Sequence, residues 1–131
     1  MVRTFEIDGT KITDIATFYE EINRLFMREE DWKLGCSLDA LNDLLYGSYG
    51  AIPPNETIDL IWKNATQSRQ ALGIETTKKY YLDKINQPQT FNSTLFQQKL
   101  DTLEQGNGTT YFDLILEVFA LHENINVVLE G

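Results

Sequence analysis

The stretch Ser37-Leu38-Asp39-Ala40-Leu41-Asn42-Asp43-Leu44-Leu45-Tyr46-Gly47 carries most of what this sequence says about fold and function. Ser37 is a good helix N-cap, because its hydroxyl can accept from a free first-turn N–H. Leu38, Leu41, Leu44 and Leu45 recur at helical spacing and predict one apolar stripe. Gly47 supplies the stop. Asp39 and Asp43 are four residues apart, so they stand one above the other on such a helix. With the leucines on the other side, both carboxylates face solvent, and Asn42 stands beside them. Like charges at this spacing cost about 0.2–0.5 kcal/mol in an isolated helix. Asp39 recovers part of that from the helix dipole, and Asp43, further in, recovers less. A cationic partner such as an arginine fork would reverse the sign.

The residues before this helix belong to the same window. From Glu29 to Gly47 there are five carboxylates and one lysine, Lys33. Met27 to Cys36 has no period and contains Gly35, so it reads as a loop. Trp32 in that polar loop is either an interface residue, of the kind enriched at binding hot spots, or an apolar plug beneath the loop. On spacing and charge alone, a solvated acidic face stands slightly ahead of a binding face.

Further out, Thr4 to Ile7 alternates and predicts a short strand closed by the turn signal Asp8-Gly9. Ile15, Phe18, Tyr19, Ile22, Leu25 and Phe26 mark an amphipathic helix whose N-cap is Thr13, Asp14 or Thr17. Ser48 to Asn55 is a connection with Gly50, Pro53 and Pro54. Thr57 to Trp62 reads as a buried strand, with Trp62 in the core. Asn64 is placed to cap a short helix running to Leu72 and ended by Gly73. Thr76 to Ile85 and Ser93 to Leu103 read as helices separated by Asn86 to Thr90, with Gly106 beyond the second. Tyr111 to Leu121 is a buried helix broken by Asn124, and Ile125 to Leu129 is a last strand. Strands separated by helices imply parallel pairing through crossovers, hence an α/β fold with a small three-stranded parallel sheet packed with helices.

The 131 residues fit one domain spanning 1–131. The N-terminus lacks the apolar run of a signal peptide, and no stretch approaches the roughly 20 apolar residues of a membrane span. The single Cys36 cannot form an internal bridge. A cytoplasmic protein is expected, and the Asn-x-Thr triplets at Asn55, Asn64, Asn92 and Asn107 then read as chance and turn chemistry. A net charge of −9 argues against nucleic acid and anionic membranes and favours a basic protein partner.

Catalytic chemistry is poorly represented. His122 is the only histidine, and its place at the end of an apolar helix suggests a capping role. Cys36 has no base adjacent in sequence. No glycine-rich phosphate cradle occurs. No enzyme, cofactor or metal is expected. Asp39 and Asp43 as an acid–base pair remain a minor alternative.

Gly35, followed by Leu38-Asp39-Ala40-Leu41, one residue, Asp43, a short spacer and Gly47, resembles the barstar family of intracellular ribonuclease inhibitors. Phe5 to Ile12, Thr57 to Leu72 and Tyr111 to Leu129 are similar, in order, to that family's first strand, second strand with third helix, and final helix with strand. The resemblance implies a barstar-like fold, with residues of about 74–108 as an extra helical insertion. It also implies an inhibitor that blocks a ribonuclease active site with carboxylates set where RNA phosphates would lie. By position, Asp39 and Asp43 match the family's acidic contacts, Asp43 being the one that enters the basic pocket. Gly35 matches a loop glycine that approaches the nuclease, and Glu117 a third acidic contact. The expected partner-binding set is Trp32, Lys33, Leu34, Gly35, Ser37, Asp39, Asn42, Asp43, Tyr46 and Glu117. Lys33 and Leu34 stand where the family carries an aromatic residue, and Asn42 where it carries a tryptophan. These departures keep open a second reading, a non-inhibitory interaction module with the insertion as its binding element.

Overall fold

The computed structural model of the chain describes residues 2–47, 49–54 and 56–131. Ser48 and Asn55, which bound the expected connection, lie outside the described residues, as does the triplet residue Asn55. Strands β1 (Arg3–Asp8), β2 (Ile58–Lys63) and β3 (Ile125–Leu129) form one parallel sheet in the order β1-β2-β3. The register sets Phe5 beside Leu60 and Leu60 beside Val127. Among the described residues the helices are α1 (Ile15–Phe26), α2 (Leu38–Leu45), α3 (Ala65–Ala71), α4 (Ile74–Ile85), α5 (Ser93–Glu104) and α6 (Tyr111–Ala120). The α/β class read from the sequence is the class observed.

Alternation decides which face of the sheet is covered. Ile58, Leu60 and Trp62 are buried, whereas Asp59, Ile61 and Lys63 between them are half-exposed. Glu6, Asn126 and Val128 continue that second face and are exposed. The strand expected to be buried throughout is therefore covered on one face only. Polar partners on the open face make this tolerable: Asn126 Nδ2 donates to Asp59 Oδ1 at 3.3 Å, and Lys63 Nζ pairs with Glu130 at 2.8 Å.

Trp62 is the centre of the covered face. Its indole stacks on Phe18 at 5.7 Å and packs against Phe112 at 4.9 Å. The buried Nε1–H needs an acceptor and finds Ser68 Oγ at 2.9 Å. Ser68 in turn donates to Gly9 O at 3.3 Å. A Cβ at Gly9 would collide with Lys63 O, Asn64 O and Ser68 Oγ, so only glycine lets this turn close onto β2 and α3. Asp8 caps the 3-10 turn Gly9–Lys11 that follows β1.

The helix ends follow the sequence with three refinements. Asp14, one of three candidates, caps α1 in a reciprocal box with Thr17. Asn64 occupies the N-cap position of α3 but in a left-handed conformation, φ 53°, without a side-chain cap. Gly73 ends α3 and at once begins α4, two residues earlier than the apolar pattern indicated. Asn92 caps α5 through Leu95 N, which accounts for that Asn-x-Thr triplet as turn chemistry.

Buried polar contacts tie the helices to one another. Tyr19 and Tyr111 hydroxyls meet at 2.7 Å inside the core. Thr77 Oγ1 accepts from Tyr111 N at 2.8 Å and donates to Gly73 O at 2.7 Å, locking the start of α4 to α6. Glu21, 2 % exposed, takes Arg24 in a bidentate pair and accepts from Asp8 N at 2.7 Å, fixing α1 to the end of β1. Helix α5 packs on α4 instead, through a small second cluster of Tyr81, Leu100 and Leu103 with Tyr80, Ile85 and Phe96.

Replacing Ser68 by Ala strands the Trp62 N–H without an acceptor. We expect a loss of about 1–3 kcal/mol in urea denaturation, the usual cost of a buried unsatisfied donor. A midpoint equal to wild type would show that water replaces the hydroxyl.

Candidate protein-binding surface

Helix α2 lies on the core through Leu41, Leu44 and Leu45, which are at most 2 % exposed. Ser37 caps it by accepting from Ala40 N at 3.0 Å. Asp39 and Asp43 are exposed on the opposite side. Among the described residues neither carboxylate has an ion-pair or hydrogen-bond partner, although five ion pairs form elsewhere among them.

The preceding loop is pinned from behind. Leu34 N donates to Asn23 Oδ1 at 2.7 Å, and Asn23 Nδ2 donates to Leu34 O at 3.3 Å, so one α1 side chain clasps the loop backbone. Glu30 accepts from Gly50 N at 3.1 Å. Leu34 itself is 5 % exposed and packs into the core. Its expected place among the contact residues is therefore corrected: the side chain anchors the loop and is turned away from any partner. Trp32 is 44 % exposed and rests edge-on against Tyr49 at 4.8 Å, so it is a surface wall and not a plug. Lys33, Gly35 and Ser37 are exposed.

Gly35 differs from the seven other glycines. Each of those has either a positive φ or backbone or side-chain atoms where a Cβ would stand, whereas Gly35 has neither. Nothing in the chain's own fold requires glycine there. A requirement for it would come from outside.

Asn42 is half-buried, and its Oδ1 lies 2.7 Å from His122 Nε2. It joins α2 to the end of α6 and is less available to a partner than expected. The corresponding role for His122 is also corrected. Its ring bonds to Asn42 of α2 and sits edge-on to Tyr46 at 4.7 Å instead of capping α6, and burial lowers its pKa. Tyr46 is 62 % exposed. Glu117 is exposed on α6, which packs against α2. Burial raises the pKa of Cys36, the opposite of an activated thiol.

Three tyrosines absent from the expected set have pKa values raised in part by these carboxylates. Burial and then the Asp43 charge push Tyr49 above its usual range. Tyr80 of α4 is raised by burial, by Tyr81 and by Asp39, and Tyr81 by burial and Glu117. Each acidic residue thus has a tyrosine within electrostatic reach. Tyr49 and Tyr80 lie on segments whose sequence shows no period shared with α2, so no local pattern could have marked them. Among the described residues no group of three or more His, Cys, Asp or Glu side chains is placed to hold a metal. No helix among them is long and apolar enough to cross a membrane.

A small parallel α/β fold displaying one acidic helix and a clasped loop is the setting in which the comparison with known proteins falls. The chain matches the family described as Barstar (barnase inhibitor) over residues 2–104 and belongs to that family. The matched span contains the loop, α2 and both α4 and α5, and ends before α6 and β3. No curated protein is found to be similar.

The His122 contact makes a pH prediction. A histidine with a lowered folded pKa binds protons more readily when unfolded. Its contribution is therefore complete above the ordinary value of 6.5 and is lost as pH falls through the lowered one. Urea midpoints should drop between about pH 7 and about pH 5, and His122→Phe should flatten that part of the profile. Asp8 and Asp14, held below 3.8 by bonds from Thr10 and Thr17, act in a separate, more acidic window. An unchanged slope in the variant would contradict the role given to His122.

Proposed function

We propose that the chain is an inhibitor that binds a basic ribonuclease and blocks its active site with α2 and the loop before it. The observation that carries this reading is the unpaired, solvent-facing pair Asp39 and Asp43 on a helix whose other side is fully buried. Two exposed carboxylates without internal partners are free to bond a partner, and the strongest charge-assisted bonds to them come from arginine forks. The net charge of −9 adds long-range attraction toward a cationic groove and none toward nucleic acid or anionic membranes. Family membership supports the same reading, since the family's description names a nuclease inhibitor.

Within it, Asp43 enters the basic pocket, Asp39 and Glu117 pair with flanking cations, and Trp32, Lys33, Ser37 and Tyr46 form the rim. Gly35 admits close approach of the partner backbone. The chain acts by binding alone, with no catalysis and no cofactor, in the cytoplasm. Residues of about 74–108 are an insertion within one domain spanning 1–131.

Barnase and other small basic ribonucleases are the probes. Asp43→Ala should weaken inhibition by on the order of 2–5 kcal/mol, the range for truncating one member of a buried charge pair at interfaces that include barnase–barstar itself. Undiminished inhibition by this variant would overturn the proposed surface. Gly35→Ala should keep wild-type thermal stability, because its Cβ meets no atom of the chain, yet bind more weakly. Loss of stability there would show instead that the glycine serves the fold.

A second reading, a non-inhibitory interaction module, draws on Leu82 and Leu95, which are 45 % and 43 % exposed on the α4–α5 hairpin. If Leu82→Lys with Leu95→Lys leaves ribonuclease inhibition intact, the hairpin's apolar face is not the binding element.

A further inference from the structure

The loop of residues 105–110 joins α5 to α6 and sets an asparagine in front of a glycine that the fold cannot exchange. Helix α5 ends in a Schellman turn. Gly106, at φ 83°, donates its N–H to Leu103 O at 3.0 Å, and Asn107 N donates to Thr102 O at 3.1 Å. The chain then folds back over Leu103. A Cβ at Gly108 would stand 2.6 Å from Leu103 Cα and 2.8 Å from Leu103 N. Leu103 is itself buried with Tyr81 and Leu100 between α4 and α5, so only glycine fits at 108.

The surroundings of Asn107 separate it from the other asparagines. Its side chain is exposed and makes no hydrogen bond among the described residues, and neither does the N–H of Gly108. Asn23, Asn42, Asn92, Asn124 and Asn126 each engage the side-chain amide in a hydrogen bond. Asn64 and Asn86 have free side chains, but the N–H that follows each is tied. Ala65 N donates to Glu130 O at 2.9 Å, and Gln87 N to Lys84 O at 3.1 Å. Among the described residues, Asn107 alone combines a free amide, a free N–H on the next residue and no Cβ to shield that nitrogen.

We propose that Asn107 is a site of spontaneous deamidation in the folded chain. The Gly108 nitrogen attacks Asn107 Cγ and forms a C–N bond. The side-chain nitrogen leaves as ammonia, taking the proton that Gly108 N gives up. Water then opens the resulting succinimide at either carbonyl, giving aspartate or isoaspartate at 107. Both products add negative charge to a chain already at −9, at the C-terminal end of α5, where the helix dipole disfavours it. Isoaspartate also inserts a methylene into the main chain at the point where it closes onto Leu103. The modification therefore loosens the end of α5 and its contacts with α4.

The test is to hold the folded full chain in neutral to mildly alkaline buffer at physiological temperature and to map its peptides by mass spectrometry over days. The tryptic fragment of residues 100–131, which contains no further Lys or Arg, should grow heavier by the difference between OH and NH2. Fragment ions should place the change at 107 and leave Asn124 and Asn126 unaltered. Labelling by an isoaspartyl methyltransferase should appear in the same fragment, and Asn107→Gln should abolish both signals. The isoaspartyl chain should melt below wild type and below Asn107→Asp, which carries the charge without the added methylene. Equal melting of all three would refute the loosening of α5. If the folded chain stays unchanged at 107 for as long as a urea-unfolded control takes to convert, or if another asparagine converts first, the proposal fails.

Discussion

Burial of Leu41, Leu44 and Leu45 fixes the rest of the arrangement around α2. Removing each side chain from water is worth about 1.5–3 kcal/mol, far more than the 0.2–0.5 kcal/mol or so of repulsion between like charges one turn apart. The helix consequently has one admissible rotation. With that rotation set, Asp39 and Asp43 face solvent whatever their own preferences. The local cost of the acidic pair is held in place by packing energy from the other side of the helix, which is what allows two carboxylates to wait unpaired for a partner.

A helix of eight residues does not hold a loop still by itself. The loop from Met27 to Ser37 is restrained by Leu34, by the two bonds from Asn23 and by Glu30 reaching Gly50. Behind α2, the Asn42–His122 contact ties it to α6, and the Tyr19–Tyr111 pair ties α6 to α1. Little of the surface need be ordered on association, and an interface preorganised in this way loses less entropy when it forms. The same scaffold extends to α4: Thr77 locks its start against α6, and Tyr80 packs edge-on to Tyr111.

The fold was largely legible because each element carries its own period. The α1 and α2 stripes, the cap at Ser37 and the strand ending at Trp62 all follow from local spacing. The register of residues across the sheet and its one open face were not legible, since the run from Ile58 to Trp62 reads equally well as a strand buried on both sides. Of the site, the exposure of Asp39 and Asp43 was readable from the leucine period. The turning inward of Leu34, the capture of Asn42 by a residue 80 positions away and the edge-on packing of Tyr49 on Trp32 depend on packing that no window of sequence contains. Gly35 shows the complementary case: the sequence marks the glycine, and only the structure shows that the fold itself makes no demand for it.

The central claim is that α2 and its clasped loop are the face presented to a nuclease. The most direct measurement is a crystal structure of the chain bound to inactive barnase. The account predicts the Asp43 carboxylate inside the cationic active site, with Asp39 and the Gly35 backbone at its margin and the α2 leucines still buried. A complex formed through the exposed sheet face or the far side of the α4–α5 hairpin, with Asp43 left in water, would contradict it.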